Sequence, residues 1–348
     1  MSHPTYRVVQ WATGNIGAKS LRAVIEHPLL ELVGLHAHSP DKVGKDAGDL
    51  CGVTSTGVLA TSSTDDVLSL GADCVLYMPQ GCDVDDVCRI LESGSNIVTT
   101  RGEFHRPASM DLALRQRVEA ACAQGATSIH STGSSPGFIS EALPIVLLSL
   151  QRSLDLLQID EFADMSSRDS PELLFDLMGF GRDPATFDPR RFGHMATAFG
   201  PSLSSLAEAV GLSIDSVEAG GDVAVATHDV EIAAGTILAG TVAAQRPSVV
   251  GLRSGAPLVQ FRAHWYVSRD LEPAWDLRET GWRVQVLGDT PLDVGIRFPV
   301  EPDRYPEVSP GFTAHPAVNA VPVVCDASPG IRTTFDLPTV IPFFGAGA

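Results

Sequence analysis

Apolar residues in the first 130 positions fall into short solid runs separated by stretches of helical periodicity. Val8-Val9, Leu32-Val33-Gly34-Leu35, residues 74–78, 96–99 and 128–130 read as buried strands. Between them, residues 15–26 place Ile16, Leu21, Val24 and Ile25 on one side and stop at His27-Pro28. Residues 65–70 follow a Ser63 or Thr64 cap, 83–93 carry acids in their first turn, and 109–124 end at Gly125. Strand and helix alternating in this way specify a parallel, doubly wound sheet.

From about Phe138 the pattern changes. A helix is predicted over 139–150, a strand over 154–162 and a short helix over 171–178, which opens on Ser170-Pro171-Glu172. A helical patch at 203–210 precedes β runs at 213–217, 223–232, 236–245, 258–267, 282–287 and 292–298. In one of them Val259, Phe261, Ala263, Trp265 and Val267 alternate with Gln260, Arg262, His264 and Tyr266, which predicts one oily and one polar face. Residues 315–322 read as a short helix start that returns to the first domain, and the tail 343–348 is expected to fray. The fold class is therefore α/β: a doubly wound parallel (Rossmann) sheet with a second α+β domain on a mostly antiparallel sheet. The predicted division is 1–137 for dinucleotide binding, 138–314 for substrate binding and dimerisation, and 315–348 for the returning segment.

Composition narrows the function. The 348 residues are 44% hydrophobic and 19% charged, enough for a substantial core. No apolar stretch reaches the roughly 18 residues of a membrane span, and the N-terminus has no signal-peptide core. The net charge of −18 argues against general nucleic-acid binding. The six cysteines are scattered, with no C-x-x-C pair, which suits a reducing cytoplasm.

The glycine turn after the first strand is the main chemical signal. Thr13, Gly14, Asn15, Ile16 and Gly17 lead from strand to helix, as a phosphate-cradling turn does. Ala12 stands where G-x-G-x-x-G has its first glycine and is expected to keep an ordinary φ. The second strand runs into His36-Ala37-His38-Ser39-Pro40-Asp41-Lys42, with no acid at its end to hold a ribose 2′-hydroxyl. His38, Ser39 and Lys42 offer donors to a 2′-phosphate, which favours NADP over NAD; the alternative is an ordinary loop. A metal site is disfavoured, because the H-x-H lacks a third ligand nearby. Ligands of such sheets lie beyond the strands' carboxyl ends. This adds Met78, Pro79, Gln80 and Thr100 to the cofactor-binding candidates.

Glu103 follows a buried strand, where a nicotinamide would lie. It reads either as a carboxylate that shuttles protons and stabilises a cation or as a solvated helix-start acid before Pro107. Arg101 and Arg106 suit a substrate carboxylate or plain solvation. His264 is a candidate cavity residue, and Phe138, Phe175 and Met178 are either core or pocket wall. Asn319 either binds the nicotinamide amide or is a helix-surface amide. No G-x-S-x-G elbow and no H-E-x-x-H is present.

Ala12 to Gly17, Glu103, the corner Ser134-Ser135-Pro136-Gly137-Phe138 and the run His315 to Pro322 together resemble the dihydrodipicolinate-reductase-like family. The resemblance is to its branch of NAD(P)-dependent amine dehydrogenases and 2,4-diaminopentanoate dehydrogenases, and it spans nearly the whole chain. It implies reductive amination of a ketone or aldehyde with ammonia and NADPH, or the reverse deamination, with Glu103 as the catalytic residue. The double-histidine and lysine motif of the reductases proper is missing. The apolar candidates Phe138, Phe175, Met178 and Trp265 favour small aliphatic substrates over a diaminopentanoate. Alternatives are another oxidoreductase of this fold, alcohol-type or diaminopentanoate-type, and a non-catalytic NADP-binding protein. A homodimer is expected, because an isolated sheet face needs cover.

Overall fold

The computed structural model describes residues 5–345. The chain begins with β1 (Tyr6–Trp11), α1 (Asn15–Glu26), β2 (Leu30–His36), α2 (Ala47–Cys51), β3 (Ala60–Thr61) and α3 (Thr64–Ser69). It goes on through β4 (Cys74–Tyr77), α4 (Val84–Glu92), β5 (Asn96–Thr99), α5 (Leu112–Gly125) and β6 (Ser128–Ser131). Next come α6 (Leu143–Leu148), β7 (Leu154–Asp164), α7 (His194–Ala209), β8 (Ser216–Ala226), β9 (Val230–Ile232) and β10 (Gly235–Ile237). Then follow β11 (Val242–Arg253), β12 (Ala256–Tyr266), β13 (Leu271–Glu272), β14 (Gly281–Gly288) and β15 (Leu292–Arg297), before α8 (Tyr305–Cys325) and β16 (Gly330–Arg332). Two compact units result: Met1–Phe138 with Glu307–Ala348, and Ile139–Pro306.

In the first unit the strand order is β16-β6-β5-β4-β1-β2-β3, with every pairing parallel. The winding reverses between β1 and β4, which opens a crevice at their carboxyl ends. Period-two alternation sorts the strand residues onto two covered faces. Val9, Val75, Ile97 and Ile129 pack with Val87, Ile90, Leu91, Val118 and Cys122 of α4 and α5. Val8, Cys74, Leu76 and Val98 pack with Val24 of α1 and Ala317, Val318, Ala320, Val321 and Val324 of α8. α8 is longer than the short helix predicted over 315–322. It holds Pro310, Pro316 and Pro322, each of which removes a backbone donor, but its apolar face is buried on the sheet. Of the tail, Phe343, Phe344 and Gly345 form no regular element, and 346–348 lie outside the described residues.

The second unit has a seven-stranded sheet ordered β13-β8-β11-β12-β7-β14-β15. Only β12 and β7 pair in parallel; the other neighbours are antiparallel. α7 lies on one face, where Phe199 stacks on Phe261 with centroids 4.1 Å apart. Ion pairs cross the opposite face: Asp222 with Arg246 at 2.5 Å, Asp160 with Arg262 at 2.6 Å, and Arg283 with Asp293 at 2.6 Å. The polar side of β12 is not solvated along its length. His264 and Tyr266 are buried there, because His264 stacks on Phe162 at 4.6 Å and Tyr266 donates its hydroxyl to the Arg278 carbonyl. The helix predicted over 139–150 is present as a wide, π-type turn that runs through Ala142 into α6, and the non-helical backbone of Ser135, Pro136 and Gly137 lies before it.

Ala12 departs from expectation: its φ is +75°. The turn requires it, because the Ala12 N–H donates to the His36 carbonyl and its own carbonyl accepts from Gln10 Nε2 at 3.0 Å. A Cβ on Gly17 would lie 2.3 Å from that carbonyl oxygen. Ala12 therefore carries left-handed strain of roughly 1 kcal/mol that glycine would not. In denaturant unfolding, Gly17→Ala is expected to cost about 3 kcal/mol or more, and Ala12→Gly to stabilise by up to ~1 kcal/mol.

Asp160 is the anchor of the second sheet. Burial alone would raise its pKa, but hydrogen bonds from His264 and Arg262 outweigh burial and hold the carboxyl at about 2, from an ordinary 3.8. A lowered folded-state value gives stability that is present above the unfolded pKa and lost as pH falls through the folded one. Asp160→Asn is expected to destabilise by about 3–5 kcal/mol, because it takes the shared buried carboxylate from half-buried Arg262 and buried His264. It should also flatten the loss of stability that the wild type shows in urea titrations from pH 4 towards pH 2.

Candidate active site

The site is built at the carboxyl edge of the parallel sheet. β1 delivers the glycine turn, and Gly14 caps α1 with no side-chain cap bond. A Cβ on Gly14 would meet no atom within 4 Å, so the space beside the start of α1 is open, and the first N–H groups of a helix have no partner within it. Gly81 and Gly102, after β4 and β5, also border open space. Such a cradle, at the positive end of a helix dipole, fits the pyrophosphate of a dinucleotide. Asn15 and Ile16 form the first turn of α1, and Gly17 packs it against the Ala12 carbonyl.

The end of β2 adds a cation. Lys42 Nζ donates to the Thr13 carbonyl at 2.8 Å, so the loop after β2 is tied back to the glycine turn. His36 is buried and stacked on Trp11 at 3.8 Å, and burial lowers its pKa. His38 and Ser39 are exposed. The Ser39 hydroxyl donates to Asp41, which is held below its ordinary value by that bond first. A phosphate here would meet Lys42 and His38, and Ser39 once its hydroxyl turns from Asp41.

Glu103 lies in a short 3-10 turn, Gly102–Phe104, after β5. Its Oε1 accepts from Arg101 Nη2 at 2.5 Å, while Oε2 is shielded from solvent with no hydrogen-bond partner. Arg101 Nη1 donates to the Gln80 carbonyl, and the Arg101 carbonyl accepts from the Ser131 hydroxyl at 2.6 Å. One guanidinium and its backbone thus join the loops after β4 and β5 to the end of β6. Cys82 stands nearby; burial first, then the Glu103 carboxylate, push its thiol up to about 11. Met78 is buried, Pro79 half-buried and Thr100 half-buried along the same edge.

The corner after β6 completes the first unit's edge. Ser134 Oγ lies 2.7 Å from Thr313 Oγ1 of α8, and Phe138, 38% exposed, donates its N–H to the Gly133 carbonyl. Asn319 is half-buried on α8, between residues that pack on the sheet. The other substrate candidates belong to the second unit. Phe175 lies against the turns at Gly181 and Gly235, and Met178 joins the same apolar cluster as Phe162, Leu174 and Phe180. His264 Nε2 is 2.8 Å from Asp160 Oδ1, and its Nδ1 is buried without a partner. Sequence reasoning missed Asp160 and Gln10 and left Arg101 as one of two readings. The signal for Arg101 was its spacing: two residues before an acid in a tight turn at a strand end.

Comparison with known proteins bears on the chain as a whole. Residues 188–346 match the family of the 2,4-diaminopentanoate dehydrogenase C-terminal domain. An amine dehydrogenase from Streptomyces virginiae is 28% identical over 347 residues, 95% of each chain. The solved structure of an amine dehydrogenase from Mycobacterium smegmatis superposes with a TM-score of 0.74 at 20% identity, covering 97% of this chain and 98% of that one. A probable dehydrogenase from Thermotoga maritima shares the fold at a TM-score of 0.53 and 14% identity, covering 95% and 92% of the two chains. Residues 188–346 thus carry the likeness to the 2,4-diaminopentanoate dehydrogenase C-terminal domain, and the chain as a whole is similar to amine dehydrogenases in sequence and in fold.

Proposed function

We propose that this protein is an NADP-dependent amine dehydrogenase that couples small aliphatic ketones or aldehydes to ammonia and runs the reverse deamination. The observation that carries the reading is Glu103: a carboxylate pinned through one oxygen by Arg101, its other oxygen left without a partner at the carboxyl edge of a dinucleotide-type sheet. The family's relatives support the same chemistry.

When bound, NADPH supplies a hydride. Thr13 to Gly17 would hold its pyrophosphate, with His38, Ser39 and Lys42 at the 2′-phosphate. Met78, Pro79, Gln80, Thr100 and Asn319 are assigned to the rest of the cofactor. Glu103 handles the protons. It takes one from ammonium, and the free ammonia forms the C–N bond as the carbonyl pair moves to oxygen. Glu103 passes that proton to the oxygen, takes a second from the nitrogen and gives it to the hydroxyl. Water leaves and a C=N⁺ bond forms, so the balance is ammonium plus carbonyl to iminium plus water. The anionic carboxylate stabilises the iminium that accepts the hydride, which a lysine there would repel.

Phe138, Phe175 and Met178 are assigned to the substrate, whose class follows from these three apolar side chains, while His264 stays with Asp160. A diaminopentanoate-type substrate is the second reading, favoured by the family match of residues 188–346. A homodimer that covers the charged face of the second sheet, working in the cytoplasm, completes the proposal.

Ammonium with an aliphatic ketone is expected to drive NADPH oxidation, followed by absorbance. Glu103→Gln should lower kcat by about 10²–10⁴-fold with NADPH affinity unchanged. Undiminished turnover would remove Glu103 from the mechanism. Lys42→Ala should weaken NADPH binding by about tenfold and leave NADH binding within about twofold, the loss of one charge-assisted contact. Equal losses for both cofactors would refute the 2′-phosphate assignment.

A further inference from the structure

Two side-chain polar atoms at the sheet edge, Glu103 Oε2 and Arg101 Nε, are shielded from solvent and lack a hydrogen-bond partner, as do Ser135 Oγ, Gln10 Oε1 and Ser20 Oγ elsewhere among the described residues of the first unit. Ionised Glu103 can only accept and Arg101 can only donate, so the first two call for a ligand that donates to one and accepts from the other. Arg101 cannot swing away to satisfy Nε. Nη1 is spent on the Gln80 carbonyl and Nη2 on Glu103 Oε1. Its backbone N–H donates to Thr99 Oγ1 at 3.1 Å and its carbonyl accepts from Ser131. The contact with Glu103 also raises its pKa further, so the guanidinium keeps its protons.

We propose that Arg101 is a second catalytic residue, its Nε–H binding the reacting oxygen while Glu103 Oε2 handles the reacting nitrogen. The proposal rests on the amination reading above. When the C–N bond forms, negative charge moves onto the former carbonyl oxygen. A fixed N–H donor stabilises that charge, and it goes on holding the carbinolamine hydroxyl until Glu103 protonates it and water leaves. Arg101 transfers no proton, so the proton balance stays with Glu103. In the oxidative direction the hydride leaves the amine before any oxygen is present. Arg101 then acts only afterwards, when water adds to the iminium.

That order makes the role separable from mere support of Glu103. The test is stopped-flow oxidation of an aliphatic primary amine with NADP⁺ by the wild type and Arg101→Lys, with melting temperature and NADPH affinity as folding checks. The first turnover of NADPH formation should stay within about threefold of the wild type, while steady-state deamination and ketone amination fall by about a hundredfold. If the first turnover slows as much as the steady state, Arg101 works only through Glu103 and the proposal is overturned. Unchanged steady-state rates overturn it too. Should the lysine variant not fold, Arg101→Gln, which keeps an N–H donor without the charge, gives the same split to be tested. A wild type that forms no NADPH from any amine would sink the amination reading itself, and this proposal with it. A selective failure of the split would sink the proposal alone.

Discussion

The first unit depends on one close approach of backbone to backbone. α1 can start where it does only because Gly17 has no Cβ to strike the Ala12 carbonyl. That approach aims the N–H groups of α1 at the crevice between β1 and β4, where the winding of the sheet reverses. Gln10 supports it from beneath, buried in β1 with its amide on the same carbonyl. Ala12 bears the cost, held at a positive φ that an alanine rarely adopts. Strain at a functional turn persists where the surroundings over-determine it, and here β2, Gln10 and Gly17 all do.

A second constraint is electrostatic. In a chain with a net charge of −18, anionic ligands must be held by local arrangements. Lys42 reaches back across the sheet edge to the Thr13 carbonyl, and Arg101 gathers three strand ends through two hydrogen bonds and its own backbone. Each cation is fixed by the fold before any ligand arrives, which lowers the ordering cost of binding. The second unit uses the same device for stability. Asp160 stays ionised though buried, because Arg262 and His264 both meet it.

Much of the fold was legible in the chain. Parallel strands covered on both faces must read as solid apolar runs, and the turns between them carry caps and glycines, so the strand–helix alternation announced the first sheet. α8 was less legible. Its three prolines argue against a helix locally, and its apolar residues make sense only against Val8, Leu76 and Val98, which lie far away in sequence. The polar face of β12 misled for the same reason: alternation shows which residues share a face and says nothing of what covers it.

The sequence by itself determined the glycine turn, the strand-end position of Glu103 and the set of donors after β2, because these are local and their chemistry follows from residue type and spacing. Only the tertiary structure decided which groups are engaged. It spent one Glu103 oxygen on Arg101 and left the other without a partner, joined Lys42 to Thr13, buried His264 on Asp160 and turned Ala12 left-handed. Such outcomes depend on distances between residues remote in the chain, or on the surroundings of a single turn. Hydrogen bonds and ion pairs form within a few ångströms or not at all, and sequence spacing does not set that distance.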